Sequence, residues 1–144
     1  MGRRPCKQPH PRYGPEIARL VGRPDPTIVE IGCNNGTDTL AFLEAMPMAR
    51  VYCFEPDPRA ILRFKQNLGS RLERVSLSEI AISDRNGTIA FHVSGSGPVA
   101  GEGWDLSGSI RAPKNHLLEH PWVTFGPTIT VNTRTLDVGA QNTR

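Results

Sequence analysis

The sequence predicts an α/β fold, the βαβαβ half of a doubly wound parallel sheet followed by a β-hairpin. Three observations carry this. Short apolar runs at residues 27–31 and 50–54 read as buried parallel strands, helical patterns separate them, and a glycine-bracketed turn follows the first run. At 144 residues the chain is long enough to bury a core, and its 38% hydrophobic and 22% charged composition is ordinarily globular.

The elements follow in order. Residues 1–26 form a basic, Pro-rich leader with one short helical pattern at 15–21, where Ile17, Leu20 and Val21 would share a face. Pro24-Asp-Pro26 breaks the chain. Thr27-Ile-Val-Glu-Ile31 has the near-continuous apolar character of a strand covered on both faces. Residues 37–46 read as a helix with Leu40, Leu43 and Ala41 or Ala45 at core spacing, and with Thr37 or Asp38 as its cap. Arg50-Val-Tyr-Cys-Phe54 is the second strand. Asp57-Pro58 has the form of an N-cap with proline at the first helical position, opening a helix that carries Ile61, Phe64 or Lys65, Leu68 and Leu72 on one stripe. A third strand is expected over 75–82.

Beyond it the pattern changes. Asn86-Gly87 lies between Ile80-Ala-Ile82 and Thr88-Ile-Ala-Phe-His-Val93, which predicts a hairpin. Residues 94–127 are dense in Gly, Ser and Pro and read as a long irregular segment containing Trp104 and Trp122, and 128–131 is a last short strand.

Composition narrows the function. No run approaches the ~18 apolar residues of a membrane helix, and the basic start has no hydrophobic stretch behind it, so the expected location is the cytoplasm. Cys6, Cys33 and Cys53 are odd in number and lack CxxC spacing, which argues against a disulfide framework or zinc knuckle; Cys33 and Cys53 read as small buried hydrophobes. Net charge is +3, with Arg3, Arg4, Lys7, Arg12, Arg19 and Arg23 near the start. No aromatic or helical patterning organises these charges, so a solvated leader is expected and nucleic acid is not. His116-Leu-Leu-Glu-His120 spells a zinc pattern, but Pro113 and Pro121 leave barely two helical turns, so no metal is assigned.

The chemistry concentrates in the turn Glu30-Ile-Gly-Cys-Asn-Asn-Gly36. Glycines after a buried strand allow a sharp turn and close approach of a ligand to the backbone, and the helix that follows presents unpaired N–H groups. Asn34 is among the few non-glycine residue types that tolerate a left-handed backbone. A dinucleotide loop would read GxGxxG around an anionic pyrophosphate. Here the spacing is GxxxG with Glu30 two residues before Gly32, a carboxylate suited to a ligand carrying ammonium and sulfonium charges. Glu55 closes the second strand, 19 positions after Gly36, where an acid can accept both hydroxyls of a ribose, and Pro56 offers an apolar surface to an adenine.

Together with Phe54-Glu-Pro-Asp-Pro58, Ala81-Ile-Ser-Asp84, Asn86-Gly87, Ser107-Gly-Ser-Ile110 and Thr133-Arg-Thr-Leu-Asp137, this turn resembles the FkbM-type S-adenosylmethionine (SAM) dependent methyltransferases. The resemblance covers 28–137 in order, with Cys33 in place of the family's usual Ala and Asp57 in place of a common Asn. It implies a Rossmann-like class I methyltransferase fold, present in part, with residues 27–144 as the N-terminal part of a SAM-binding domain. It further implies that Glu30, Gly32, Asn34 and Gly36 contact the methionine end of the cofactor. Glu55 would hold the ribose, Pro56 would line the adenine, and Ala81 with Ile82 would close its other side. The acceptor would be a small molecule or glycan bearing a hydroxyl, and Trp104 and Trp122 are placed as loop anchors. No base is assigned; His92 lies in strand alternation, where a surface role is the simpler reading. Strands on the far side of the first strand are missing, so a C-terminally truncated chain is expected. The rivals are a NAD(P)-binding oxidoreductase domain and a non-catalytic remnant that binds SAM or a protein partner.

Overall fold

In the computed structural model, residues 15–96 and 106–137 are described. Helix α1 (Pro15–Val21) precedes β1 (Thr27–Ile31), α2 (Thr37–Ala45), β2 (Arg50–Phe54) and α3 (Pro58–Leu68). A 3-10 turn (Gly69–Arg74) leads into β3 (Val75–Ser78), and β4 (Ala81–Ile82), β5 (Gly87–Ser96), α4 (His116–Glu119) and β6 (Val123–Arg134) follow. Cys6 and Trp104 lie outside the described residues. No helix among the described residues is long and apolar enough to cross a membrane.

The first half matches the expected βαβαβ unit. β1, β2 and β3 form a parallel sheet with β2 in the middle. Asp57 caps α3 by accepting the Arg59 N–H at 2.9 Å, with Pro58 at the first helical position. Ala60, Ile61, Phe64 and Leu68 are its buried stripe; Phe64, not Lys65, faces inward. The core joins Phe64 and Leu68 to Leu43, Val51, Cys33 and Cys53. Both of these cysteines are buried and free. The Cys33 thiol, hydrogen-bonded to Cys53 and desolvated, has its pKa pushed well up and stays protonated, which suits a small core residue.

Three expectations in this half need correction. β1 is not covered on both faces: Val29 and Ile31 are 49% and 55% exposed. In α1, Leu20 is 85% exposed, so Ile17, Leu20 and Val21 form no buried face. α2 takes Gly36 as its N-cap with no side-chain cap, and Asn35 Oδ1 accepts the Thr37 N–H instead of Thr37 or Asp38 capping the end. Its buried residues are Thr39 and Leu43, because the partner beneath Thr39 is a carboxylate.

The second half departs further. The strand expected over 75–82 is interrupted after Ser78, and residues 81–82 belong to another sheet. The hairpin across Asn86-Gly87 does not form: β6 inserts between β4 and β5, running parallel to β4 and antiparallel to β5. Asn86 is occupied in holding β6, its Oδ1 accepting the Thr135 N–H at 3.0 Å. β6 is also far longer than the expected 128–131: it spans twelve residues, nine of which find ladder partners along β5. That pairing shortens the irregular segment from both ends. Phe91, Ala81 and Val131 form a second small core between this sheet and the segment near Ile110.

Candidate functional site

A cleft of about 360 Å³ opens where the C-terminal ends of β1 and β2 meet the β3–β4 link and the segment 106–110. That volume falls within the roughly 300–1,000 Å³ of small-molecule sites. Its position outside the carboxyl ends of parallel strands is where such sheets bind ligands. Of the eight residues singled out from sequence, six line it: Gly32, Asn34, Glu55, Pro56, Ala81 and Ile82. Glu30 and Gly36 are not among its walls.

The turn is built from the backbone upward. Gly32 has φ +78°, Asn34 φ +46° and Gly36 φ +79°, so the left-handed tolerance expected of these residue types is used at all three. The Gly32 N–H donates to the Phe54 carbonyl at 2.8 Å, which ties the loop to the end of β2. A Cβ placed on Gly32 would meet nothing within 4 Å, so the cleft side of the loop is open to a ligand. Gly36 serves a different end: its would-be Cβ lies 2.5 Å from Leu68 Cδ1 and 2.9 Å from Phe64 Cδ2, so here the missing side chain lets α2 and α3 close together.

Glu55 is the central charge of the site. It is 5% exposed, and each carboxylate oxygen accepts a backbone N–H at 2.9 Å, Oε2 from Asn34 and Oε1 from Asp57. Burial raises its pKa, with the two amide bonds acting the other way. An acidic strand end thus does two jobs: it clamps the glycine loop to the start of α3, and it leaves lone pairs directed at the cleft.

Strand alternation turns the Glu30 side chain toward α2, and it does not line the cleft. Ile28 and Glu30 face α2, where the Thr39 hydroxyl donates to Glu30 Oε2 at 2.6 Å and Cys53 Sγ lies 3.7 Å away. Burial raises the Glu30 pKa, and the Thr39 bond lowers it by less. The folded state therefore holds this proton more tightly than the unfolded chain. The group contributes stability that is fully present below the ordinary value of 4.5 and is lost as pH rises through its folded-state pKa. Glu30→Gln keeps an acceptor for Thr39 without the charge. It is expected to melt above the parent at neutral pH, with the gap closing as the pH approaches 4.5. Thermal unfolding across that range checks this; a gap independent of pH would contradict it.

Sequence reasoning did not find the opposite wall. Phe91 from β5 and Leu106, Gly108, Ser109 and Ile110 also line the cleft. Segment 106–110 is fastened to β5 by reciprocal backbone hydrogen bonds between His92 and Ser109, at 2.7 and 3.1 Å. Ser107-Gly-Ser-Ile110 is visible in sequence only as a motif, because local sequence does not say which strand it will cross. A Cβ on Gly108 would stand 2.5 Å from Phe91 Cζ. Phe91 is buried, so Gly108→Ala must lift the segment or displace the ring. The expected loss is about 1–3 kcal/mol of stability, read as a lower urea midpoint; an unchanged midpoint would show that the contact yields freely.

The remaining candidates lie apart from the cleft. His92 is partly exposed, its Nδ1 3.4 Å from the Thr128 hydroxyl. His120 packs edge-on against Trp122 at 5.0 Å, and Trp122 is 46% exposed.

Over 122 residues, 85% of its length, the chain is 55% identical to the 2-O-methyltransferase NoeI of Sinorhizobium fredii (strain NBRC 101917 / NGR234). By sequence, the chain is a relative of an O-methyltransferase. It spans 49% of that protein's length. No protein-family profile matches the chain. Two solved structures of PKMT2 from Rickettsia typhi, the second in complex with AdoHcy, align over 35% and 40% of this chain and 10% and 11% of theirs. They are 23% and 24% identical with TM-scores of 0.32 and 0.33.

Proposed function

We propose that residues 27–144 are the cofactor-binding part of a SAM-dependent O-methyltransferase of FkbM type, with a hydroxyl of a sugar or other small metabolite as acceptor. The observation that carries this reading is the Glu55 carboxylate, buried on the wall of the cleft at the end of β2, in a cleft that Pro56, Ala81 and Ile82 also line. The name of the relative, a 2-O-methyltransferase, supports oxygen as the methyl acceptor.

The residues present fit such a cofactor. Glu55 retains acceptor capacity for two ribose hydroxyls beyond its two amide bonds. Pro56, Ala81 and Ile82 supply apolar walls for a flat base, and the open face of Gly32 with Asn34 leaves room for the amino-acid end. Glu30 acts from behind the loop, by its charge and through its bond to Thr39 at the start of α2. When bound, SAM supplies an electrophilic methyl group on a sulfonium. This chain's part is to hold the reactants in line, which removes much of the entropic barrier of a bimolecular step.

Calorimetry of the chain with S-adenosylhomocysteine and, separately, with NAD tests the reading. Binding of the first without the second is expected. Binding of NAD alone would sink it and favour an oxidoreductase domain.

A further inference from the structure

The two walls of the cleft come from different sheets, and one side chain is bonded to both. Arg59, in the first turn of α3, grips Asp57 through Nε to Oδ1 at 3.1 Å and Nη2 to Oδ2 at 2.7 Å. The same Nη2 donates to the Ser94 carbonyl of β5 at 2.8 Å. Ser94 is fully buried, and its hydroxyl accepts the Ser107 N–H at 3.1 Å, inside segment 106–110. In the other direction, the Asp57 N–H donates to Glu55 Oε1 and the Asn34 N–H to Glu55 Oε2. A continuous series of hydrogen bonds therefore runs from Ser107 through Ser94, Arg59, Asp57 and Glu55 to the glycine loop.

We propose that Arg59 is a positioning residue that couples segment 106–110 to the glycine loop, so that the two walls of the cleft are set at one spacing for the ligand between them. The guanidinium is suited to this because its fork engages both Asp57 oxygens and still has a donor for Ser94. An ammonium could not meet all three acceptors with comparable geometry. The Asp57 carboxyl, which burial alone would raise, is held below its usual range by the Arg59 side chain and amide, so the anchor stays ionised. Arg59 is 42% exposed on its own side chain, so its ion pair with Asp57 would add little as an isolated surface contact. Its worth lies in joining α3 to β5 and, through Ser94, to Ser107. Segment 106–110 then behaves as a strap whose height over Glu55 is fixed from α3. The ligand's identity as an adenosyl cofactor rests on the function proposed above; the coupling of the strap does not.

The test uses the 144-residue chain and the variants Arg59→Ala, Arg59→Lys and Ser94→Ala. Amide hydrogen exchange across 106–110 is read without ligand, and S-adenosylhomocysteine affinity is read by calorimetry. Arg59→Ala and Ser94→Ala are each expected to speed exchange at Ser107 and to weaken binding by about tenfold. The double variant is expected to be no worse than Arg59→Ala alone, since both cut one series of bonds. Arg59→Lys keeps the charge and is expected to restore the fold but not the slow exchange. Additive losses in the double variant, or parent-like exchange in Arg59→Ala, would overturn the coupling. If Arg59→Ala does not fold, Arg59→Lys and Ser94→Ala decide the matter by the same exchange readout. If the parent chain binds no S-adenosylhomocysteine, the proposed function fails while the ligand-free exchange still decides the strap.

Discussion

Gly36→Ala is expected to cost about 2–5 kcal/mol of folding stability, the sum of a left-handed backbone forced on an L side chain and an overpacked core. The backbone part follows from φ +79°. The packing part follows from the 2.5 Å and 2.9 Å approaches to Leu68 and Phe64. Those side chains are 2% and 0% exposed, so neither can swing into solvent. Domains of this size are stable by only about 5–15 kcal/mol, so the variant stands near the edge of folding. Gly32→Ala is the natural control. Its φ of +78° imposes nearly the same backbone strain, but its Cβ would meet nothing. Urea unfolding of the pair isolates the packing part, and equal losses would refute the assignment of Gly36 to the α2–α3 contact. The same comparison separates two uses of glycine in one loop: Gly32 leaves space for a ligand, and Gly36 leaves space for the protein.

Glu55→Gln is expected to be damaging both to stability and to ligand binding. Two N–H donors converge on the carboxylate at 2.9 Å each, so one of them must face the amide NH2 of the variant. Breaking one charge-assisted bond and leaving its buried donor unmet costs about 2–4 kcal/mol. Affinity for S-adenosylhomocysteine should fall by about a hundredfold or more, because the loop that shapes the site loosens and an acceptor for the ribose is lost together. Thermal melting and calorimetry read the two effects separately. A variant that melts like the parent would show that the amides of Asn34 and Asp57 are satisfied by other means. A variant that melts early yet binds as the parent would leave Glu55 the clamp and take away its ribose role.

These two residues also mark what is legible in the sequence. Spacing from Gly36 and a place at a strand end mark Glu55, and it lines the cleft. The reason is local: an acid immediately after a buried parallel strand emerges at the carboxyl edge of the sheet whatever else the chain does. Gly36 belongs to the same pattern, but the contact that requires it is with α3, a helix more than twenty residues away in sequence. Glu30 was likewise legible as a conspicuous acid, while the direction of its side chain depended on which face of β1 received α2.

By itself the sequence determined the βαβαβ order, the capped start of α3, the left-handed positions of the turn and six of the walls of the cleft. Each of these is written within a few neighbouring residues, as periodicity, cap chemistry or glycine placement. Only the tertiary structure decided the far side. It set β6 between β4 and β5 where a local hairpin was expected, brought 106–110 across Phe91, and joined Arg59 to Ser94 over 35 residues. Such pairings depend on which distant strand offers the longer ladder and the better-buried face, and no local pattern records that competition.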